Sequence, residues 1–291
     1  MGRVPVMMVV TVMMVVVVSA SAGFVVRVVV PVIVVAVIGM LVIVRMTMAV
    51  VMMPVPVPVP VMRMVMVTVR GMIVAPASGE DNHHLAALLR DGVPLVLVDR
   101  QADALACDSV TVDNEGGAFE AVNYMIASGH RRIALIHDDS RIVTARQRLA
   151  GYLRSLSENG LAVDDRLVAV SQSTVEHAID TTIRLVSQPD RPTALFTVDS
   201  QMTTGALLAL RAMGLSVPQD VSLVGFDDFD LATFTDPQIT VVAQPVAQIG
   251  PLAVRMLVER IEGSDAPPRR VRFPTRLIAR GSVARPGFGR R

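Results

Sequence analysis

The stretch Val221-Ser222-Leu223-Val224-Gly225-Phe226-Asp227-Asp228 decides how this chain folds. Residues of β-forming, mostly apolar type run without interruption into a glycine, an aromatic ring and two carboxylates. That pattern predicts a strand buried on both faces, delivering acidic side chains to one end of a sheet. In an open parallel α/β sheet, ligands bind just beyond the carboxyl ends of the strands. Asp227 is therefore a candidate ligand contact.

Immediately upstream the same arrangement occurs again. Thr193-Ala194-Leu195-Phe196-Thr197-Val198 reads as a strand that finishes in Asp199-Ser200, and Ala206, Leu207, Leu210 and Met213 mark the apolar stripe of a helix stopped by Gly214. Two successive β-α units thus place Asp199 and Asp227 at the same sheet edge. Downstream, Asp236-Pro237 punctuates the chain, and Thr240-Val241-Val242 reads as a crossing strand. Ile249, Ala253, Leu257 and Ile261 mark a helix to about 262. The alternation over 271–282 predicts an edge strand, and the arginine-rich tail, 286–291, is expected to be disordered.

Farther upstream the β-α alternation continues. Strands are expected at 71–76, 94–98, from 110, at 133–136 and at 167–170, with helices over 82–90 (capped by Asp81), from 115 to 128, from 142 to 159 and near 174–186. Such alternation is the signature of parallel sheets covered by helices. His130, Arg131 and Arg132 fall after Gly129 and are expected to solvate a turn and offset a helix C-terminal dipole. Arg146 and Arg148 lie two apart on one helix, about 200° around it, so at most one of them faces a cleft.

Residues 1–70 are a different kind of sequence. They hold no Asp, Glu, Asn, Gln, His or Lys, and Val and Met dominate them. Three readings stand open. The apolar runs 4–18 and 24–44 have the length of one or two membrane-spanning helices or a signal-like segment. The alternating Pro54–Pro60 run suits an extended polyproline-type segment. A near two-letter alphabet that switches at one point to ordinary composition is also what translation in a wrong frame, or from a misplaced start, produces.

The formal net charge of +1 gives no general attraction to nucleic acid or membrane. A single cysteine, Cys107, excludes an intrachain disulfide and is expected to be a small, partly buried residue in a reducing compartment. The residues do not read as an enzyme. Ser200 has no histidine at a plausible spacing, and His137 beside Asp138-Asp139 reads as a strand-end turn. Neither a metal nor a cofactor is expected. Adjacent His83-His84 lacks the spacing of a zinc site, and Asp227, Asp228 and Asp230 lack the glycine and distal glutamate of a calcium loop.

Residues 71 to about 284 resemble the effector-binding core of LacI/GalR-type transcriptional regulators. The resemblance rests on Val112-Asp113-Asn114, Gly129-His130-Arg131-Arg132-Ile133-Ala134, Arg148 followed by Gly151-Tyr152, and Pro192-Thr193-Ala194-Leu195-Phe196. It continues through Gly214 to Val221, Gly225-Phe226-Asp227-Asp228, Gln244-Pro245, Ile249-Gly250, and Arg280 with Ser282. It implies an α/β fold of two doubly wound parallel-sheet subdomains of periplasmic-binding-protein type, the first one truncated. The N-subdomain would take 71–112 and about 242–270, the C-subdomain 113–241 and about 271–285.

The resemblance further implies a cytoplasmic homodimer that senses a sugar or related metabolite and controls binding to operator DNA. Arg148, Asp199 and Asp227 would hold the ligand, Arg148 as a fork of donors and the carboxylates as acceptors of hydroxyl hydrogens. Arg146 would stay with solvent, and Asp228 would hold the turn. Asp199-Ser200 stands where the family commonly has Asn-Asp, a change that bears on ligand identity. No helix-turn-helix pattern is legible in residues 1–70, so the DNA-binding head is missing from the reading. The alternative is a secreted or membrane-tethered sugar-binding protein of the same fold.

Overall fold

In a computed structural model of the chain, the backbone is described for residues 8–19 and 25–36, and the whole structure for 70–76 and 82–287. The chain divides into two units, Met1–Arg70 and Gly71–Arg291. In the first, β1 (Met8–Ser19) and β2 (Val25–Ala36) pair antiparallel, with Met8 opposite Ala36 and Ser19 opposite Val25. This corrects the expectation of helical spans there. A run of β-branched valines favours the extended backbone. The Pro54–Pro60 run lies outside the described residues.

The second unit contains two sheets. The first has the order β11-β5-β4-β3, all parallel, from β3 (Met72–Val74), β4 (Leu95–Val98), β5 (Asp108–Val112) and β11 (Arg270–Phe273). Alternate residues of β4 serve two cores, as a two-residue side-chain period requires. Leu95 and Leu97 pack with Leu85 of α1 (His83–Arg90), while Val96 packs with Ala253 and Met256 of α7 (Val246–Ile261). Cys107 is buried in the first of these cores, and burial pushes its thiol up to about 11, so it is packing and not a nucleophile at neutral pH. Asp81, the expected cap of α1, lies outside the described residues.

The second sheet has the order β12-β10-β9-β8-β6-β7. Its strands are β6 (Ile133–His137), β7 (Val168–Val170), β8 (Ala194–Thr197), β9 (Ser222–Phe226), β10 (Thr240–Ala243) and the antiparallel β12 (Arg276–Ile278). Helix α2 (Asn114–Ala127) leads into this sheet, α3 (Val143–Glu158), α4 (Val175–Val186) and α5 (Ser200–Ala212) connect its strands, and the short α6 (Asp230–Phe234) follows β9. Every residue of β9 is buried, as expected for an interior strand covered on both faces.

The chain passes between the sheets three times: from β5 into α2, from β10 into α7, and from β11 into β12. The alternating stretch expected as one edge strand over 271–282 is thus two strands in two sheets. Pro274 offers no amide hydrogen to a ladder, and the passage falls at Pro274-Thr275. The passages touch: Asp113 donates its amide to the Phe273 carbonyl at 2.8 Å, and Thr275 Oγ1 donates to the Asp113 carbonyl at 3.4 Å.

Two polar clusters fasten the sheets. His130 is buried, not solvating a turn as expected; its ring nitrogens meet Thr193 Oγ1 at 2.9 Å and Ser222 Oγ at 3.0 Å, joining the starts of β8 and β9. Arg131 does cap the preceding helix, donating to the Ile126 carbonyl. In the first sheet Asp108 is fully buried and accepts from Arg260 Nε and Nη2 and from the amide and Nη2 of Arg269. Burial pushes its carboxyl up, but the hydrogen bonds from Arg260 and Arg269 together outweigh it and hold the group at about 2.

An aspartate depressed in this way contributes stability above its unfolded value of about 4, and loses that contribution as the pH falls from about 4 towards 2. Removing one partner of a buried ion pair costs about 3–5 kcal/mol. Asp108→Asn is expected to lower stability by about 3 kcal/mol at pH 7, near the bottom of that range because Arg269 is partly solvated. Urea unfolding from pH 7 to 2.5 should show the gap between wild type and variant closing below about pH 4. A constant gap contradicts the assignment.

Candidate functional site

Asp99 and Asp227 are the two non-glycine residues with positive φ among those described, at 64° and 78°. Each directly follows a strand, Asp99 leaving β4 in the first sheet and Asp227 leaving β9 in the second. Aspartate tolerates this left-handed region better than most residues, yet it remains uncommon and costs energy that the surroundings must offset. Here the surroundings hold it: the Asp227 amide donates to the Val242 carbonyl at 2.9 Å, and Gln244 Nε2 donates to Asp227 Oδ1 at 2.5 Å.

Arg148 lies within electrostatic reach of both carboxylates. It lies on the buried face of α3 and is 6% exposed, while Arg146 is exposed and donates to the Ser140 carbonyl. The helix reaches this position because α2 and α3 pack closely at Gly151, where a Cβ would come within 2.2 Å of the Glu115 carbonyl oxygen. Arg148 Nε donates to Asn114 Oδ1 at 2.9 Å, Nη1 donates to the Val198 carbonyl, and the guanidinium lies 3.7 Å from the Phe226 ring centroid. Asn114 is fixed in turn by donating to Gln147 Oε1 at 3.0 Å.

Burial lowers the Arg148 pKa, and the nearby charges of Asp227, Asp99 and Asp199 push it back up. Asp199 caps α5, accepting from the Met202 amide at 2.7 Å and from Ser173 Oγ at 2.7 Å. Withdrawal from solvent nevertheless raises its carboxyl, and the Asp227 charge adds to that. Asp99 is likewise raised by desolvation, against the pull of Arg148 and Arg100, with Asp227 again pushing it up. The structure brings Arg148, Asp199 and Asp227 into one electrostatic neighbourhood. Asp228 points away from it, paired with Arg280 at 2.8 and 2.9 Å.

Sequence reasoning missed Asp99, Asn114, Gln244 and Ser173 as members of this neighbourhood. For Asp99 the signal was present, because it ends a strand in a carboxylate just as Asp199 and Asp227 do. Asn114, Gln244 and Ser173 act through contacts 34, 17 and 26 residues away in sequence, which no local pattern announces.

Two α/β sheets joined by three passages, with polar side chains beyond the strand ends of both, define the bilobal architecture of binding-protein folds. The family profile of the periplasmic binding protein-like domain matches residues 122–283. The chain belongs to that family, in the form found as the core of LacI/GalR-type regulators. It is 35% identical over 190 residues to the HTH-type transcriptional repressor CytR of Escherichia coli (strain K12), an alignment covering 65% of this chain and 56% of the repressor. The chain thus spans little more than half the length of that relative.

Among solved structures, the transcriptional regulator CelR in complex with cellobiose is 32% identical with a TM-score of 0.68, covering 73% of this chain and 65% of the regulator. A ribose operon repressor from Burkholderia thailandensis, so described on its structure, is 37% identical with a TM-score of 0.65, covering 72% and 77%.

Because Asp99 is a desolvated carboxylate, neutralising it relieves the cost of burying its charge without a ligand present. Asparagine also accepts the left-handed backbone. Asp99→Asn is expected to raise the urea midpoint of the ligand-free protein at pH 7, with a smaller gain at pH 4, where the aspartate is itself partly protonated. An unchanged or lowered midpoint contradicts the arrangement.

Proposed function

We propose that residues 71–285 are the sensor core of a LacI/GalR-type transcriptional regulator, taking a sugar or related small metabolite into the cleft between the two sheets. The observation that carries this reading is the convergence of Asp99 from one sheet with Arg148, Asp199 and Asp227 from the other, in a fold whose relatives are named transcriptional repressors. A guanidinium with an open corner and carboxylates within its electrostatic reach from two lobes form the donor and acceptor set that polyhydroxylated molecules need. One relative's structure contains cellobiose, which supports the sugar class.

In this reading Arg148, Asp199 and Asp227 contact the ligand, with Asp99 completing the set. Ligand drawn to both lobes favours the closed arrangement of the three passages, and closure is the signal passed to operator DNA. The regulator function is favoured over a tethered sugar-binding protein by the named relatives; among the described residues no helix is long and apolar enough to cross a membrane. No catalytic step is assigned to these residues.

A homodimer is part of the same proposal. Phe234 is 82% exposed on α6 and shares a groove of mixed character with Leu207, Leu231 and Pro218 beside Arg211, Gln219 and Asp236, a surface offered to a second copy. Sedimentation equilibrium should give twice the chain mass, and a single-chain mass at micromolar concentration contradicts it.

The ligand reading is tested with the 291-residue chain by a thermal-shift screen against pentoses, hexoses, disaccharides and nucleosides. At least one should raise the melting temperature by several degrees at a hundredfold excess over Kd, where linkage supplies about 2.7 kcal/mol. Asp227→Asn, which accepts the left-handed backbone and keeps an oxygen for Gln244, should abolish most of that rise. A variant that responds like wild type shows that Asp227 does not hold the ligand.

A further inference from the structure

The charges in the cleft do not balance. Arg148, 94% buried by its 6% exposure, has Nε on Asn114 and Nη1 on the Val198 carbonyl, its face lies against Phe226, and Nη2 donates to no described residue. Asp99, Asp199 and Asp227 act on it electrostatically, and among the described residues none forms an ion pair with it within 4 Å. The second guanidinium, Arg100, lies 3.5 Å from its neighbour Asp99 and donates to the Pro76 carbonyl. Three carboxylates therefore meet two guanidinium groups.

The acceptor atoms are also unevenly used. Both oxygens of Asp199 are taken, one by the Met202 amide and the other by Ser173. Asp227 Oδ1 is taken by Gln244. Asp227 Oδ2 and Asp99 Oδ1 accept from no described residue, and they lie on opposite lobes. A hydroxyl entering between them donates one hydrogen and brings no charge. An ammonium donates three and supplies the positive charge the cleft lacks. A phosphate or carboxylate needs an open guanidinium fork, and only the Nη2 corner of Arg148 is open, with three negative charges around it.

We propose that the effector carries a protonated amine among its hydroxyl groups, as an amino sugar or amino polyol does. Its ammonium sits between Asp99 and Asp227, and Arg148 Nη2 donates to a ring or hydroxyl oxygen of the same molecule. This rests on the sugar-cleft reading above and narrows it to one charge class. In a partly desolvated gap the added ion pairing is strong enough to decide selectivity.

The test is titration calorimetry of the 291-residue chain at pH 7 and fixed ionic strength. The panel holds pentoses, hexoses and disaccharides, each as the neutral sugar, its amino derivative and its phosphate or uronic acid. The expected result is an amino derivative binding at least about tenfold more tightly than its neutral parent, a difference of about 1.4 kcal/mol. The anionic forms should give no measurable heat. Asp99→Asn should shrink the preference for the amine to below about threefold, whereas a role confined to stability would leave the ratio unchanged. A neutral parent that binds as tightly as its amino derivative, or an anion that binds, overturns the amine assignment while the sugar cleft stands. An absence of heat from the whole panel overturns the sugar cleft itself, and the amine with it.

Discussion

A guanidinium removed from water is the constraint around which the second lobe is built. Leaving a charge without hydration is costly unless hydrogen bonds and opposite charges replace the lost water. For Arg148 the replacement comes from four directions: Asn114 on α2, the Val198 carbonyl at the end of β8, the Phe226 ring at the end of β9, and the carboxylates beyond the strand ends. Each partner belongs to a different element. The position of Arg148 therefore depends on the helix-to-helix approach at Gly151 and on the register of β8 beside β9. An arginine suits this place better than a lysine, because its planar group stacks on a ring while its edge donates in fixed directions.

The same constraint explains why the strained aspartates are tolerated. Asp99 and Asp227 turn left-handed at two strand ends whose carboxylates lie within electrostatic reach of Arg148. The cost of that backbone is met by the Val242 and Gln244 contacts at Asp227 and by the ladder contact from the Asp99 amide to the Val110 carbonyl. Withdrawal of the Asp99 and Asp199 carboxylates from solvent leaves the ligand-free protein less stable than it would be with neutral side chains there. Such stored unfavourable energy is characteristic of sites built to be completed by a ligand.

Much of this was readable from the residues alone. The β-α alternation and the uninterrupted apolar run of β9 announced parallel sheets, and the strand ends placed Asp199 and Asp227 at one sheet edge. The helical wheel separated Arg148 from Arg146 without any structure. What escaped was of two kinds. Residues 271–282 looked like one strand because alternation is a local property, whereas membership of two sheets is decided by which strand lies alongside. His130 looked like a turn residue because its polarity favours solvent, and only the three-dimensional meeting with Thr193 and Ser222 gives its two nitrogens partners inside the protein. Asp99 ends β4 in a carboxylate just as Asp199 and Asp227 follow their strands, but it belongs to the other sheet, and the neighbourhood of the two sheet ends is a property of the fold.

The central claim is that a ligand completes the coordination of Arg148 and Asp227. The most direct measurement is a crystal structure of the chain with the molecule that gives the largest calorimetric heat. The expected result is one ligand oxygen within about 3.2 Å of Arg148 Nη2 and a ligand donor at similar distance from Asp227 Oδ2, with the Asn114 and Val198 contacts of Arg148 retained. A ligand bound outside the cleft, or one in the cleft that touches neither residue, contradicts it.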